Sequence, residues 1–282
     1  MRSLLNLALL KPVLLVSVVL VAAACKREAD VPATPAAPEQ TAPAGTAAGD
    51  TSAVPELKDV IETTDAYIVG ISYPPTINKY PGLAQVVSAY ADAARAELMQ
   101  AVAGFGNDKP SAPYELSLSF EQLVETPELV AVAADGSRYT GGAHGEPLVA
   151  RFVWLPAQQK LLTAGELIPK VEGWIAVGAY IREQLRTSVS VRADADEMPP
   201  EERLEFVRTA DKMIDEGTEP DVDNFDAFQP IVDAQGRITA LRFVFPPYQV
   251  GPYADGTQTV DVPAAVLLPH LAPEYSGLFA KS

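Results

Sequence analysis

Residues that carry metal or redox chemistry are scarce in this chain. Its 282 residues include one cysteine, Cys25, and two histidines, His144 and His270. A single cysteine excludes a disulfide within the chain. A zinc site takes three or four His, Cys or carboxylate ligands, whereas the two histidines lie 126 positions apart with no other histidine near either. We therefore expect no metal site and no cofactor.

Motifs of the common enzyme classes are also missing. GxSxG, the Walker A loop and HExxH do not occur, and Gly104-Phe105-Gly106 lacks the third glycine of a dinucleotide-binding loop. The stretch DVDNFD, residues 221–226, imitates a calcium loop but has Phe225 at the fifth position and no glycine at the sixth. It is typical of a solvated turn.

One class of enzyme, a carbohydrate hydrolase, does not require any of these missing motifs. A hydrolase acting on carbohydrate needs two carboxylates separated by roughly 5 to 10 Å in space, a geometry that leaves no sequence signature. The candidates for such a pair are Glu219, Asp221, Asp223 and Asp226.

The N-terminal stretch MRSLLNLALLKPVLLVSVVLVAAAC has the form of a secretory signal. Arg2 and Lys11 are its only charges, and three alanines precede Cys25. The arrangement AAAC resembles a bacterial lipobox, with Ala22 in place of the usual leucine. That resemblance implies cleavage before Cys25 and acylation of its thiol and new amine. The alternative is ordinary signal-peptidase cleavage after the alanines, which leaves a free cysteine.

Composition divides the chain into four parts. Residues 1–24 are the signal, and residues 25–55 are the lipidated cysteine and a disordered tether rich in Pro, Ala and Thr. Such a tether reaches roughly 30 Å. An N-terminal module at residues 56–157 and a C-terminal module at residues 158–282 follow. We expect an exported bacterial lipoprotein anchored in a membrane, and Lys26 after the cysteine favours the periplasmic side of the outer membrane in a Gram-negative host.

Acidic residues dominate the charge. The formal net charge is −16, and removal of residues 1–24 takes away Arg2 and Lys11 but no acid, which leaves −18. Nucleic acid is therefore excluded as a partner. A basic protein is favoured because opposite charges speed encounter. The alternative is that the surplus acids only keep an exported protein soluble.

The pattern of elements predicts an α+β fold with antiparallel sheets, packed helices and two small modules in tandem. In the first module DAYIVGISYP predicts a strand, a helix begins at Pro81, and YELSLSF alternates as a half-buried strand. Asp135-Gly136 is a hairpin signal between two strand-like runs.

The second module predicts helices followed by strands. Thr163 to Glu166 has the form of a capping box. A helix from Pro200 to Gly217 has an apolar side that we expect to face the core, formed by Phe206, Ala210, Met213 and Ile214. A turn at residues 233–236 separates two strands.

Two glycines precede a histidine in YTGGAHG, which contains Tyr139, Gly141, Gly142 and His144. Adjacent glycines allow positive φ or a close backbone approach, as at a bulge that ends a strand. We expect a structural role for His144, with a buried hydrogen bond to a neighbouring carbonyl.

The stretch FPPYQVGPYADG combines prolines with two tyrosines, Tyr248 and Tyr253. Prolines restrict φ, and tyrosines offer a large rigid contact area. The tyrosines either belong to a binding face or pack beneath the adjacent sheet, and packing is favoured.

These motifs, in order and spacing over about residues 61–271, resemble the extracytoplasmic region of RsiV-like proteins. That region joins an N-terminal module, also found in PdaC-type peptidoglycan deacetylases, to a C-terminal module with the pattern FxPYxxxPYxxGxxxVxIPxxxL. The residues in register with this pattern are Phe245, Pro247, Tyr248, Pro252, Tyr253, Gly256, Val260, Val262, Pro263 and Leu267.

The resemblance implies a receptor or binding surface, because the exported region of RsiV-like proteins binds lysozyme. We therefore expect a cell-envelope binding module whose partner is a lysozyme-like basic protein or peptidoglycan. RsiV-like proteins carry a sigma-binding segment and a membrane span ahead of this region, and PdaC-type enzymes carry a catalytic domain behind it. This sequence has neither, so neither sigma-factor sequestration nor deacetylation is expected.

We predict that Cys25 is acylated. Radiolabelled palmitate fed to producing cells should enter the wild-type protein and not the Cys25→Ala variant, because the variant lacks the thiol that is acylated. Equal labelling of the two proteins would contradict the prediction.

Overall fold

Two β-sheets organise the described chain, which in this computed structural model comprises residues 56–106, 110 and 112–281. Cys25, the signal and the tether lie outside these residues. The first sheet contains, in spatial order, β1 (Val60–Thr63), β2 (Tyr67–Ser72), β3 (Tyr114–Glu125), β4 (Val130–Tyr139), β5 (Glu146–Leu155) and β6 (Lys160–Leu161). The second contains β7 (Phe228–Val232), β8 (Ile238–Phe245) and β9 (Gln258–Pro263).

Five α-helices accompany the sheets in the described residues. They are α1 (Pro81–Ala103), α2 (Ala164–Leu167), α3 (Val171–Ala195), α4 (Pro200–Gly217) and α5 (Ala264–Leu267). The predicted α+β fold is confirmed. Within the described part of the chain, no helix is both long and apolar enough to span a lipid bilayer.

The prediction that both sheets are antiparallel is wrong at one pair of strands. β2 and β3 run parallel, with Ile71 opposite Leu118, whereas the other pairs of the first sheet are antiparallel. The reason is the connection: α1 carries the chain back across the sheet before β3 begins, and a crossover helix is the usual way to join parallel strands. The first sheet is therefore mixed.

One face of the first sheet is covered by α1. The alternation of YELSLSF places Leu116, Leu118 and Phe120 on this face, where they are buried, and leaves Glu115 and Ser117 on the other. Leu83 and Leu98 of α1 are also buried in this first core. Burial of each such side chain contributes roughly 1.5 to 3 kcal/mol.

A second core lies between the three-stranded sheet and α3. The indole of Trp174 stacks on Phe225 with 4.9 Å between ring centroids, and its Nε1–H donates to the carbonyl of Ile168 at 3.0 Å. The capping box is confirmed, because the Thr163 side chain accepts from the Glu166 amide and Glu166 accepts from the Thr163 amide. The predicted bounds of α4 are confirmed as well.

Strand β5 contributes to both cores. Phe152 and Trp154 belong to the first core, whereas Val153 and Leu155 belong to the second. Arg151 adds a polar contact, since its Nε–H donates to the Gln229 side chain of β7 at 2.7 Å. The two halves thus meet across the sheet, while the boundary at residues 157 and 158 stays a prediction.

The prediction of a hairpin turn at Asp135-Gly136 is wrong. β4 is continuous through both residues, with Gly136 opposite Leu118. The glycine serves a close approach between strands: a Cβ at this position would lie 2.0 Å from the Ser117 carbonyl oxygen. By contrast, the predicted turn at residues 233–236 is present, where Gly236 has φ 77° and donates its amide to Asp233.

We predict that Gly136→Ala lowers the free energy of unfolding by about 1 to 3 kcal/mol, because the new methyl group forces β3 and β4 apart. Gly70→Ala in β2 is the matched control, since a Cβ there meets nothing within 4 Å. Urea denaturation of both variants measures the difference. Similar midpoints for the two variants would show that the close approach does not constrain the sheet.

Candidate functional site

The YTGGAHG loop connects β4 to β5. Gly141 and Gly142 have φ values of 101° and 95°, in the region that favours glycine. The hydroxyl of Tyr139 donates to the Gly142 carbonyl at 3.2 Å. Arg138 and Glu146 face each other as the last strand pair before the loop. The glycines therefore form the hairpin connection itself rather than a bulge.

His144 projects from this loop to the surface. Its Nδ1 lies 3.2 Å from the Gly145 carbonyl oxygen, and its Nε2 lies 2.9 Å from the Tyr248 hydroxyl. A carbonyl only accepts, so Nδ1 carries the proton in this arrangement and Nε2 accepts from the phenol. The bond to a neighbouring carbonyl is present. The expectation that it is buried is wrong, because the loop lies beyond the ends of the strands and His144 is exposed.

Tyr248 occupies a tight turn after β8. Its φ is 76°, an uncommon value for a residue other than glycine, and its amide donates to the Gly251 carbonyl at 2.9 Å. The side chain is 54% exposed. The favoured prediction that it packs beneath the sheet is therefore wrong, because the turn carries the ring outside the sheet.

Tyr253 begins a short 3-10 turn that leads to β9. Its ring is half-buried and stacks on the imidazole of His144, with 3.9 Å between centroids and 17° between planes. Tyr248 lies close to both, with its ring centroid 5.6 Å from that of Tyr253. We call His144, Tyr248 and Tyr253 the aromatic triad.

The aromatic triad brings two sequence motifs into contact. Its members His144 and Tyr248 are 104 residues apart in the sequence. It presents one large exposed ring and a hydrogen-bonding edge, on loops fixed at both ends by strands. Tyrosine is enriched among residues that dominate binding energy, since it combines a rigid apolar surface with a polar group. This arrangement is suited to contact with another molecule.

The acidic stretch proposed for a carboxylate pair forms a second feature. The side chain of Asp221 caps a 3-10 turn at Val222–Phe225 by accepting the Asp223 amide at 3.2 Å. Phe225 is buried in the second core, which explains its place in this acidic stretch. The predicted solvated turn agrees with the exposure of Asp221, Asp223 and Asp226.

Asp226 differs from an ordinary surface carboxylate. Partial burial raises its pKa, and repulsion from Asp223 and then Asp221 raises it further. Asp223 and Asp226 line a small cleft of mixed polar and apolar character together with Arg151 and Gln249. Arg151 already forms an ion pair with Asp135 at 3.0 Å. Among the residues that the structure describes, no group of three or more His, Cys, Asp or Glu side chains is arranged to hold a metal ion.

A third feature is the apolar side of α4, which was predicted to face the core. Of the four apolar residues assigned to that face, only Ile214 is buried, and Phe206, Ala210 and Met213 stay partly exposed. They line an apolar groove instead, because the loop after β8 covers this face only in part. In the sequence, an exposed apolar groove and a buried core face have the same pattern, which is a row of apolar side chains along one side of a helix rich in acids. The pattern therefore does not distinguish the two.

Two segments of the chain match models of known protein families. Residues 61–146 match a family model described as deacetylase PdaC, and residues 175–265 match one described as a protein of unknown function, DUF3298. The segment that matches PdaC ends with the YTGGAHG loop, and the segment that matches DUF3298 contains Tyr248 and Tyr253. A comparison with curated proteins gives no match.

Two crystal structures are similar to this chain. One is a DUF3298 family protein from Pseudomonas aeruginosa PAO1, with a TM-score of 0.48, 15% identity and coverage of 80% of this chain and 94% of that one. The other is a DUF3298 family member from Bacteroides fragilis NCTC 9343, with a TM-score of 0.46, 16% identity and coverage of 78% and 94%.

We predict that Tyr248→Phe moves the Nε2 resonance of His144 in a long-range ¹H–¹⁵N spectrum, because the phenol that donates to this nitrogen is lost. His270, the second of two histidines, is the internal reference and should not move. The free energy of unfolding should change by less than about 1 kcal/mol, since the bond is exposed. An unmoved His144 resonance would contradict the hydrogen bond.

Proposed function

We propose that this chain is a binding protein of the cell envelope, and that its ligand is a basic protein of the lysozyme type. The exposed aromatic triad carries the proposal. Tyr248 is 54% exposed and has an uncommon backbone conformation beside the stacked rings of His144 and Tyr253. Residues in such conformations cluster at sites that bind ligands.

The charge of the chain favours a protein ligand of opposite sign. At −16, or −18 without residues 1–24, the chain attracts a basic protein over a distance of about one Debye length, roughly 10 Å at 0.1 M salt. Charge brings the partners together, and the rigid rings of Tyr248 and Tyr253 then supply short-range contact. The RsiV-like resemblance supports lysozyme as the candidate.

The same proposal includes a membrane anchor. Acylation at Cys25 would hold the protein at the envelope, and residues 26–55 would let the folded part stand off the membrane by roughly 30 Å. Two or three acyl chains give stable anchoring, whereas one gives marginal binding. A receptor for a large soluble protein benefits from such a distance, because the membrane then does not block the ligand.

One observation favours a different function, a carbohydrate-active hydrolase. Asp226 has a raised pKa and lines a partly apolar cleft beside Asp223, and a carboxyl whose pKa is raised by its surroundings is suited to act as a general acid. In that case the chain releases product from peptidoglycan, and Asp226→Asn abolishes release. If the glycan is bound but not cleaved, the protein is a binding protein whose ligand is a glycan instead of lysozyme.

We predict that the full-length protein in a non-ionic detergent binds lysozyme in calorimetry, and that Tyr248→Ala weakens binding by about tenfold, the usual effect of a central contact residue. Binding should persist in part at 1 M salt, where the Debye length falls to about 3 Å, because ring contacts do not depend on charge.

An unrelated protein of the same net positive charge is the control for non-specific attraction. If it binds as well as lysozyme, and both signals vanish at high salt, the protein ligand is wrong. Calorimetry with peptidoglycan fragments then decides whether a glycan is the ligand instead. Product analysis detects turnover.

A further inference from the structure

An apolar groove lies between α3, α4 and the loop formed by residues 248–258. Its apolar lining includes Leu185, Val189, Phe206, Ala210, Met213 and Val250. The open space within it is about 120 Å³. An apolar cavity of about 150 Å³ holds one benzene molecule. The groove therefore has room for a single apolar side chain.

The loop at residues 248–258 connects this groove to the aromatic triad. Tyr248 and Tyr253 belong to the triad, whereas Val250, Pro252 and Asp255 of the same loop line the groove. One rigid loop therefore contributes to both surfaces, and a molecule that contacts the triad lies next to the groove.

Hydrogen bonds fix this loop to the end of α4. The side-chain amide of Gln249 donates to the carbonyls of Gly217 and Asn224 at 3.0 and 2.9 Å. Gly217 leaves no room for a side chain, since a Cβ there would lie 2.0 Å from the Gln249 carbonyl oxygen. The groove is thus built by the fold and does not depend on a mobile wall.

An ion pair closes one end of the groove. Arg192 of α3 lies 2.6 Å from the carboxylate of Asp255, and its guanidinium sits over the ring of Phe206 at 5.5 Å. Arg192 thereby packs against the apolar lining while its charge is neutralised by Asp255. Its charge is engaged within the protein, so it does not repel a basic partner strongly.

The surroundings of the groove are strongly acidic. Residues 194–217 contain nine acids and three bases, a formal charge of −6. Glu201 and Glu202 in the first turn of α4 are exposed. Two apolar side chains on the same helices are exposed as well, Val191 by 62% and Leu204 by 71%. An apolar recess with an acidic rim is complementary to an apolar side chain surrounded by lysine or arginine.

We propose that the groove receives one apolar side chain of the basic protein that contacts the aromatic triad. This inference rests on the proposed function and adds a second contact point to it. The triad supplies the exposed contact, and the groove supplies an apolar recess in which one inserted side chain would be desolvated and contribute strongly to affinity.

Methionine methyl groups report on the groove directly. The sequence contains four methionines, of which Met213 lines the groove and Met99 packs against the first core. In full-length protein labelled with ¹³C at the methionine methyl groups, addition of lysozyme should shift the Met213 signal. The Met99 signal should stay in place and is the internal reference.

Filling the groove tests whether a side chain enters it. Ala210→Trp places an indole in the groove and should weaken lysozyme binding by at least about tenfold. Ala179→Trp, the same substitution at an exposed position of α3, is the matched control and should bind like the wild type. Thermal unfolding of both variants checks that they are folded, and Thr209→Trp at the exposed rim replaces Ala210→Trp if the latter unfolds.

Each result has one meaning. Unchanged affinity in the filled variant, or an unmoved Met213 signal when lysozyme is bound, overturns the groove and leaves the proposed function intact. Absence of lysozyme binding by the wild type overturns both. Weakened binding in the filled variant alone supports the inserted side chain.

Discussion

Burial of both faces of strand β5 is the constraint on which the rest of the structure depends. Phe152 and Trp154 point into the core under α1, and Val153 and Leu155 point into the core under α3. A strand covered on both sides has no freedom of register, because a slip by one residue would exchange its two faces. The start of β5 is thereby fixed, and the loop with His144 is held at a defined place relative to the second sheet.

The candidate site benefits from this arrangement. Binding residues on loops are effective when a rigid scaffold positions them. His144 comes from the β4–β5 connection and Tyr253 from the β8–β9 connection, and their stacked rings join the two domains outside both cores. The site therefore combines residues from the segment that matches PdaC and the segment that matches DUF3298, and neither segment contains it alone.

Local patterns predicted most elements but not their contacts. Alternation in YELSLSF and the spacing of apolar residues after Pro81 indicate one strand and one helix, because such periodicity follows from local geometry. The direction of β3 depends on the crossover through α1, which no local pattern encodes. Asp135-Gly136 has the composition of a turn, but Gly136 lies within a continuous strand that passes close to the backbone of Ser117. The meeting of His144 with Tyr248 spans 104 residues and depends on the whole fold.

The parallel pairing of β2 with β3 has a consequence for the order of folding. β4 and β5 follow β3 directly in an antiparallel meander, whereas β2 must wait for α1 and pair over 47 positions, from Ser72 to Ser119. Contacts between distant positions are slow to form, since the chain entropy lost in closing the loop precedes any gain. During synthesis, Val69 and Ile71 thus remain uncovered until α1 and β3 have been made.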